Sequence, residues 1–306
     1  MKPVLTIRNL ASRRIMNRRK MVLTEELLMA HYLIVTDIDG TLIPKSQIVS
    51  PLTKAVFAKL RAEGHETYIA SGRLLALARS IGNQLSPDMN IICSNGAVIA
   101  QGDQIHQTQL GTDAAIAAYE ICERYGLTLR LFNLKDTFHT STEHEAIEHM
   151  RFLRRGVDTD TIYLKDIVDV KTIADTITNG LAVSHYGDKL ALARQAFAET
   201  GLFSLSASNP WNIELIPKDV SKATALRSVQ QQLHIDAAHT IVFGNGLNDA
   251  PMFSEAQTSV AMADSPQAVI DQAATTTVPV DEDGVPKFLM KMFGITASDL
   301  AEAQEH

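Results

Sequence analysis

A continuous run of apolar and β-branched residues, 33–36, leads directly into two aspartates, Asp37 and Asp39. A run of this kind is typical of a strand that is buried on both faces, as in a parallel sheet. Side chains two positions apart in an extended chain point to the same side, so the two carboxylates are expected to lie together at the strand end. Because crowded carboxylates repel each other unless a cation or a shared proton compensates, this segment is a candidate for chemistry. Gly40 breaks the strand, and Thr41 can then offer a hydroxyl or an amide to an anion.

Two other interpretations of the aspartate pair come from its local sequence. Asp-Gly segments are common in turns, so the pair on its own also fits a turn or a helix cap. A calcium-binding loop requires its glycine at the sixth position and an acidic residue at the twelfth, whereas the glycine here comes fourth. The calcium loop is therefore excluded, and the choice between a turn and a reactive site depends on the rest of the chain.

The composition is that of a soluble globular protein, and 306 residues are enough for two domains. The net charge of −7 argues against nucleic-acid binding by the body of the protein. No apolar run is long enough to span a membrane. The two cysteines, Cys93 and Cys122, show no metal-type spacing and are expected to be reduced thiols, which favours a cytoplasmic location. The sequence carries no signal for an oligomeric state.

The first 28 residues differ from the rest, because they carry seven lysines and arginines against two glutamates. They lack the central apolar stretch of a secretory signal. A basic arm for an anionic surface, a targeting peptide, and sequence upstream of a start at Met29 are three interpretations of this segment. We expect residues 1–28 to be a dispensable, poorly ordered extension.

From residue 31 onward, strand-like runs alternate with helical patterns, which predicts an α/β fold. Core strands are expected near residues 33–36, 67–70, 91–94, 213–216, 240–243, 259–262 and 276–278. The pattern changes after residue 98, because no phosphate-type turn follows the strands predicted there. Helical stretches are expected at about 113–125, 143–155, 171–178 and 188–199. They alternate with strand-like runs at about 127–133, 160–165, 181–185 and 203–206. These segments predict a core domain from residues 29–98 and 208–306, with a second α/β domain, 99–207, inserted into it.

Four polar clusters follow a predicted strand or open a predicted helix. They are Asp37 with Asp39, Ser71 with Arg73, Lys222 alone, and Asn245 with Asn248 and Asp249. In an open parallel sheet, ligands bind outside the carboxyl ends of the strands, so these clusters are expected to converge. Carboxylates suit a cation or a nucleophile, while a lysine and the N-terminus of a helix suit a phosphate. The combination predicts metal-assisted phosphoryl transfer.

Single motifs within this set also have simpler interpretations. Gly244 and Gly246 follow a strand as a dinucleotide fingerprint does, but Asp249 occupies the position of the third glycine. A Walker-type phosphate loop is absent from the sequence. Ser71 alone fits an ordinary helix cap, and Lys222 alone fits a surface lysine. The prediction of a phosphoryl-transfer site therefore depends on the clusters taken together.

The ordered motifs resemble those of the haloacid dehalogenase-like superfamily, and most closely its Cof-type sugar-phosphatase branch. The matching segments are Asp37-x-Asp39-Gly-Thr41, Ser71-Gly72-Arg73, Asn95-Gly96-Ala97, Lys222, and Gly244-Asn245-x-x-Asn248-Asp249. The resemblance covers about residues 31–292, and the inserted segment is similar to that branch's cap domain. It implies a Rossmann-like three-layer core with a mostly parallel sheet, and an α/β cap that closes over the site and sets specificity.

The resemblance also implies a phosphatase that hydrolyses small phosphorylated metabolites such as sugar phosphates. Asp37 would be the nucleophile that forms an aspartyl-phosphate, and Asp39 would be the acid and base. Mg²⁺ would bind to Asp37, the main-chain oxygen of Asp39, Asn245 and Asp249. The phosphoryl group would be bound by Thr41, Ser71, Gly72, Arg73, Lys222 and Asn248. A phosphomutase of the same chemistry, or a weakly active regulator that binds a phosphorylated ligand, are the alternatives.

Asn245 is the one departure from the family pattern, which has an aspartate and direct metal ligand at this position. An asparagine oxygen can still coordinate a hard cation, but it is neutral. The resemblance therefore implies weaker metal binding in this chain than in its relatives.

Overall fold

The computed structural model of the chain describes residues 30–141, 156–208 and 210–302. The predicted extension, 1–28, and the predicted helix at 143–155 lie outside the described residues. Among the helices that are described, none has both the length and the apolar character needed to cross a membrane.

The described residues form fourteen strands, numbered along the chain. They are β1 (Leu33–Thr36), β2 (Glu66–Ala70), β3 (Asn90–Cys93), β4 (Val98–Gln101), β5 (Gln104–Gln107), β6 (Thr128–Phe132), β7 (Thr137–His139), β8 (Thr161–Tyr163), β9 (Asn179–Val183), β10 (Phe203–Ser206), β11 (Asn212–Pro217), β12 (Thr240–Gly244), β13 (Thr258–Met262) and β14 (Thr275–Thr277). The ten described helices are α1 (Pro51–Ala62), α2 (Leu75–Leu85), α3 (Thr112–Tyr125), α4 (Ile167–Ile173), α5 (Gly187–Thr200), α6 (Lys222–Leu233), α7 (Ala250–Phe253), α8 (Gln267–Ile270), α9 (Gly284–Phe293) and α10 (Ala297–Glu302).

The first sheet has eight strands in the order β14-β13-β12-β1-β2-β3-β4-β5. The strands from β14 to β3 pair in parallel, whereas β4 and β5 form an antiparallel hairpin at the edge. Parallel strands of this kind are covered on both faces, because their crossover connections run through helices. The predicted α/β fold with a mostly parallel sheet is confirmed.

Helices cover both faces of this sheet and produce three layers. On β1, Ile34 faces one cluster of buried side chains that includes Phe57 of α1 and Leu289 of α9. Its neighbour Val35 faces the opposite cluster, which includes Leu226 of α6. The alternation along a strand explains how four consecutive apolar residues can all be fully buried.

The second sheet has six strands in the order β10-β11-β9-β6-β7-β8. One of its faces packs against α3, α4 and α5, through a cluster that includes Ala118, Val170 and Phe197. Leu129 of β6 and Ile213 of β11 are the sheet's contributions to that cluster. The other face of the sheet is turned away from these three helices, and it bears on the site described below.

The strand pairing corrects the predicted membership of two segments. The prediction that residues 213–216 return to the first sheet is wrong, because β11 pairs with β9 and β10 of the second sheet. Every residue of β11 is buried, and Ile213, Leu215 and Ile216 give it the apolar residues expected of a strand of the parallel core. Residues 104–107, predicted to belong to the inserted domain, extend the first sheet as β5. All four of them are exposed, and β5 therefore lacks the alternation that identifies a strand.

Candidate active site

The residues predicted from the sequence gather at the carboxyl end of the first sheet. Asp37 follows β1, Ser71 follows β2 and Asn245 follows β12, and these three strands are neighbours in the sheet. The backbone N–H of Asp37 donates to the carbonyl of Phe243 at 3.0 Å, which extends the pairing between β1 and β12 to the site. Lys222, the first residue of α6, reaches the same place from outside the sheet.

Lys222 forms two buried ion pairs at this edge. Its Nζ lies 2.8 Å from Oδ1 of Asp37 and 2.6 Å from Oδ1 of Asp249. The exposed fractions are 1% for Lys222, 6% for Asp37 and 1% for Asp249. Since isolated buried charges are very unfavourable, two carboxylates can occupy this site only with a cation between them.

The charges of Lys222, Asp37 and Asp249 affect the pKa values of this buried group. The pKa of Asp37 is raised to about 7, because burial and the carboxylate of Asp249 raise it more than the ammonium of Lys222 lowers it. Burial acts to lower the pKa of Lys222, but Asp249 and Asp37 outweigh it and leave this pKa above its ordinary value. The lysine therefore remains protonated and is the fixed positive charge of the site.

The start of α6 is anchored at both its cap and its backbone. The Ser221 hydroxyl accepts from the N–H of Thr224 at 3.1 Å, and the Ser221 N–H donates to the Thr224 hydroxyl at 2.9 Å, which is a capping box. Gly96 lies against this turn with a φ of +100°, and a Cβ on it would lie 2.2 Å from the Ser221 carbonyl oxygen. A lysine in the first helical turn is unfavourable for the helix dipole, so the carboxylates account for the position of Lys222.

Asp249 shapes the loop after β12. While its Oδ1 accepts from Lys222, its Oδ2 accepts from the N–H groups of Asn245 at 3.0 Å and Gly246 at 2.8 Å. A Cβ on Gly244 would lie 2.5 Å from the Cβ of Asp249, so only glycine permits this close approach. Both carboxylate oxygens of Asp249 therefore have protein donors.

Asp39 is held by an arginine and not by the lysine. Arg73 donates from Nε to Oδ2 of Asp39 at 2.8 Å and from Nη2 to Oδ1 at 2.5 Å, a bidentate pair. The same Nη2 donates to the side-chain oxygen of Gln47. The Asp39 side chain is half exposed, so this pair lies at the open side of the site. Neither the pairing nor the contact with Gln47 was predicted from the sequence.

Hydroxyl and amide groups surround the space beside Asp37. Thr41 Oγ1 is fully buried and has no hydrogen-bond partner among the residues that the structure describes. The Ser71 hydroxyl accepts from the N–H of Arg73 at 3.2 Å. Asn248 Nδ2 donates to Oδ1 of Asn95 at 3.2 Å, which joins the loops after β12 and β3. Asn95 is absent from the predicted site, although its position directly after a core strand was a signal for it.

The predicted metal ligands offer oxygen donors, but not all of them are available. Asp249 has protein donors on both oxygens, whereas Asp37 uses one oxygen for the lysine. The Asn245 side chain lies beside Gly40, where an added Cβ would be 2.3 Å from its Nδ2. No group of three or more His, Cys, Asp or Glu side chains in the described ranges is arranged to hold a metal. The remaining set of Asp37, Asn245 and the main-chain oxygen of Asp39 fits a hard cation that keeps several waters, as Mg²⁺ does.

The second sheet closes over this site. Leu74 and Leu77, at the start of α2, form a buried cluster with Phe132 of β6. The N–H of Ala76 donates to the Leu134 carbonyl at 3.1 Å in the same region. The uncovered face of the second sheet is thereby held against the edge where the site residues converge.

Two polar contacts add to this closure. Thr178 Oγ1 donates to Ser94 Oγ at 3.2 Å, and Asn179 Nδ2 donates to the Gly72 carbonyl at 3.5 Å. Thr178 precedes β9 and Asn179 is its first residue. These contacts therefore join the start of β9 to the loops after β3 and β2, which border the predicted site.

Comparison with known proteins gives matches over most of the chain. Residues 34–289 match the family model described as haloacid dehalogenase-like hydrolase. A 5-amino-6-(5-phospho-D-ribitylamino)uracil phosphatase of Bacillus subtilis (strain 168) is 27% identical over 274 residues, which are 86% of this chain and 98% of that protein.

Solved structures agree at the level of the fold. A haloacid dehalogenase-like hydrolase from Bacteroides thetaiotaomicron superposes with a TM-score of 0.75 at 22% identity, and the match covers 86% of this chain and 100% of that one. A sugar phosphatase of HAD subclass IIB superposes with a TM-score of 0.75 at 21% identity, with 87% of this chain and 100% of that one covered.

Proposed function

Because the chain belongs to the haloacid dehalogenase-like hydrolase family, we propose that it is a Mg²⁺-dependent phosphatase of small phosphorylated metabolites such as sugar or polyol phosphates. The observation that carries this proposal is the buried Lys222 between Asp37 and Asp249, at the sheet edge where open α/β folds bind ligands. The ribitylaminouracil phosphatase and the sugar phosphatase named above support the substrate class.

In the first half of the reaction, a carboxylate oxygen of Asp37 attacks the phosphorus in line. A bond from Asp37 to phosphorus forms, and the bond from phosphorus to the ester oxygen breaks. Asp39, once it has taken up a proton from water, gives that proton to the departing oxygen, so the leaving group departs as an alcohol. Asp39 can do this only after it has left Arg73, and the incoming phosphoryl group offers that guanidinium a second anion to bind.

In the second half, Asp39 acts as a base. Its carboxylate takes a proton from water, and the resulting hydroxide attacks the phosphorus of the aspartyl-phosphate. The bond from Asp37 to phosphorus breaks, inorganic phosphate leaves, Asp39 releases its proton to water, and both aspartates return to their starting protonation states. The exposed position of Asp39 gives it access to both the leaving group and water.

Positive charge and hydrogen-bond donors stabilise the phosphoryl group through these steps. Lys222 is a fixed cation, and the partnerless hydroxyl of Thr41 is available as a donor without breaking an existing bond. The proposed phosphoryl-binding set is Thr41, Ser71, Gly72, Arg73, Lys222 and Asn248. Bound Mg²⁺, held by Asp37, Asn245 and the main-chain oxygen of Asp39, would neutralise charge on the phosphoryl oxygens. Asp249, whose oxygens already have protein donors, would position Lys222 and the backbone of Asn245 through those hydrogen bonds.

We place the protein in the cytoplasm and assign the second sheet with its helices as the cap. Cys93 and Cys122 are both buried, free thiols, as a reducing compartment would maintain them. The cap assignment is supported by the contacts that hold the second sheet over the site.

Release of inorganic phosphate from a panel of sugar, polyol and other metabolite phosphates, with and without Mg²⁺, tests the proposed activity. We expect release that requires Mg²⁺ and that is abolished in Asp37→Asn. Absence of release from every substrate at high Mg²⁺ would overturn the proposal. Isomerised sugar phosphates in place of free phosphate would show a phosphomutase instead.

Asn245 favours a second candidate, a weakly active protein that senses a phosphorylated ligand. A neutral ligand at this position weakens the site for Mg²⁺, which prefers carboxylates. In Asn245→Asp we expect half-saturation at a Mg²⁺ concentration lower by about tenfold, which corresponds to ~1.4 kcal/mol. The control is Asn83→Asp on the exposed face of α2, which adds the same charge away from the site. If half-saturation is equal in the parent and Asn245→Asp, Asn245 does not limit metal binding.

A further inference from the structure

Glu214 is a buried carboxylate that the proposed chemistry does not use. It lies in β11, its exposed fraction is 3%, and its Oε2 has no hydrogen-bond partner among the described residues. Burial raises the pKa of this carboxyl, and the charge of Lys222 and the hydroxyls of Ser208 and Ser206 oppose that shift. A carboxylate oxygen is only an acceptor when ionised, so Oε2 requires a donor from elsewhere.

The strand pattern places Glu214 on the face that closes over the site. Its neighbours Ile213 and Leu215 belong to the cluster under the cap helices, so Glu214 points to the opposite side of the sheet. Leu181, its partner on β9, packs on that opposite side with the cluster that joins the second sheet to α2. Glu214 therefore lies on the face of the second sheet that packs toward the first sheet.

Contacts of neighbouring residues place this face beside the loop that follows β2. Leu181, the cross-strand partner of Glu214, packs with the cluster that contains Leu74 of that loop. Asn179, two residues before Leu181 on β9, donates from Nδ2 to the Gly72 carbonyl of the same loop at 3.5 Å. Glu214 therefore lies on the side of the second sheet that adjoins the proposed phosphoryl-binding residues.

An unmade hydrogen bond on a buried carboxylate is costly. An unsatisfied buried polar group reduces stability, and such groups persist mainly where function requires them. Proteins commonly retain destabilised arrangements at binding sites, where the ligand supplies the missing partner. A substrate hydroxyl is the simplest neutral donor for this oxygen.

We propose that Glu214 is a specificity-determining residue whose Oε2 accepts a hydrogen bond from a hydroxyl of the leaving group. This inference rests on the proposed phosphatase function. A charged acceptor at this point favours phosphate esters of sugars and polyols. It disfavours esters whose leaving group carries a second anion, because like charges would be brought together in a buried space.

The experiment compares three substrates in the parent, Glu214→Gln and Glu214→Ala. They are the sugar or polyol phosphate that the parent hydrolyses fastest, phosphoglycerate as an anionic ester, and p-nitrophenyl phosphate, which has no hydroxyl to donate. For the polyol substrate, kcat/KM should fall by about 10- to 100-fold in Glu214→Ala, with Glu214→Gln between it and the parent. The fall should appear mainly in KM and should be much larger than for p-nitrophenyl phosphate. Relative activity on phosphoglycerate should rise in both variants.

Two further measurements separate this role from a purely structural one. The melting temperature of Glu214→Gln without substrate should not be lower than that of the parent, since the variant removes a partly unpaired buried charge. Glu120→Gln, on the exposed face of α3, makes the same change away from the site and should alter neither substrate preference nor melting temperature.

Equal losses on all three substrates, or a lowered melting temperature with unchanged preference, would overturn the specificity role and indicate a structural one. Unchanged kinetics in both variants would also overturn it and would mean that an internal water occupies the acceptor. If the parent releases no phosphate from any substrate, the proposed function itself fails, and that result is distinct from the others.

Discussion

At the scale of single residues, Lys222 decides whether the site can exist as a folded structure. Without its ammonium, Asp37 and Asp249 would face each other in a buried space with no cation between them. For Lys222→Met we expect a loss of about 3–5 kcal/mol in the free energy of unfolding in the absence of Mg²⁺, together with loss of activity. Urea denaturation measures the first and phosphate release the second.

The matched control lies on the same helix. Arg227 pairs with Glu255 at 2.5 Å, but its side chain is 54% exposed, so Arg227→Met should leave the free energy of unfolding close to that of the parent. Equal losses in the two variants would mean that burial does not determine the contribution of these pairs.

His65 provides a pH-dependent contribution to stability. Its Nδ1 accepts from the N–H of Tyr32 at 3.2 Å, and burial, with a smaller contribution from His31, lowers its pKa from the ordinary value. Below about pH 6.5 the unfolded state binds a proton that the folded state resists, so the free energy of unfolding falls as the pH decreases. This loss of stability should be smaller in His65→Asn, which can still accept the hydrogen bond.

Urea denaturation at several pH values between about 5 and 7.5 measures this difference. His106→Asn, on the exposed strand β5, should leave the pH dependence as it is in the parent. An identical slope in the parent and His65→Asn would show that His65 does not titrate differently in the two states.

Convergence of the site residues could be predicted at this scale, whereas the choice of partners could not. Strand ends and a helix start are readable from apolar runs, and they bring Asp37, Ser71 and Lys222 to one edge. Whether Asp39 pairs with Lys222 or with Arg73 depends on side-chain directions within a few ångströms. Glu214 carried no signal, because a glutamate within an apolar strand gives no indication of which sheet it joins.

At the scale of elements, the hydrogen bonds that cap the start of α6 also position the site residue Lys222. Ser221 caps the helix one residue before Lys222, and Ser50 caps α1 in the same manner by accepting from the N–H of Thr53 at 3.1 Å. Replacing either serine by alanine should reduce the free energy of unfolding by about 0.5–2 kcal/mol. Only Ser221→Ala should also lower kcat, because only α6 carries a site residue at its start.

Denaturation and steady-state kinetics on the two variants test this expectation. A fall in kcat for Ser50→Ala as large as that for Ser221→Ala would show that the loss follows overall stability and not the position of Lys222.

The elements also show where a sequence is ambiguous. Residues 212–217 have the composition of a core strand and are as fully buried as one, but their partners are β9 and β10. A strand is buried on both faces wherever other elements pack on each side of it, and both sheets of this protein provide such positions. Strand type was therefore predictable, and sheet membership was not.

At the scale of the whole molecule, Phe132 of the second sheet packs against the start of α2, beside the first sheet. It packs with Leu74 and Leu77 beside the hydrogen bond from the Ala76 N–H to the Leu134 carbonyl. In Phe132→Ala we expect the Ala76 amide to exchange its hydrogen about tenfold faster or more, since local opening becomes easier. KM for the best substrate should rise as the closed arrangement loses population.

Hydrogen exchange followed by mass spectrometry measures the opening. Tyr186→Ala removes an aromatic ring that is 65% exposed before α5 and should leave the exchange of Ala76 unchanged. Equal exchange in the parent and Phe132→Ala would mean that the polar contacts alone keep the two sheets together.

The central position of β1 bears on how the chain is made. β1 lies between β2, which follows soon after it, and β12, which is translated on the order of ten seconds later. A nascent chain on the ribosome therefore holds Asp37 while Lys222, 185 positions further on, does not yet exist. During that interval one hydrogen-bonding edge of β1 is open to chaperones or to other unfinished chains. The site is complete only after Asp249 has been synthesised, so products that end before this residue lack part of the site.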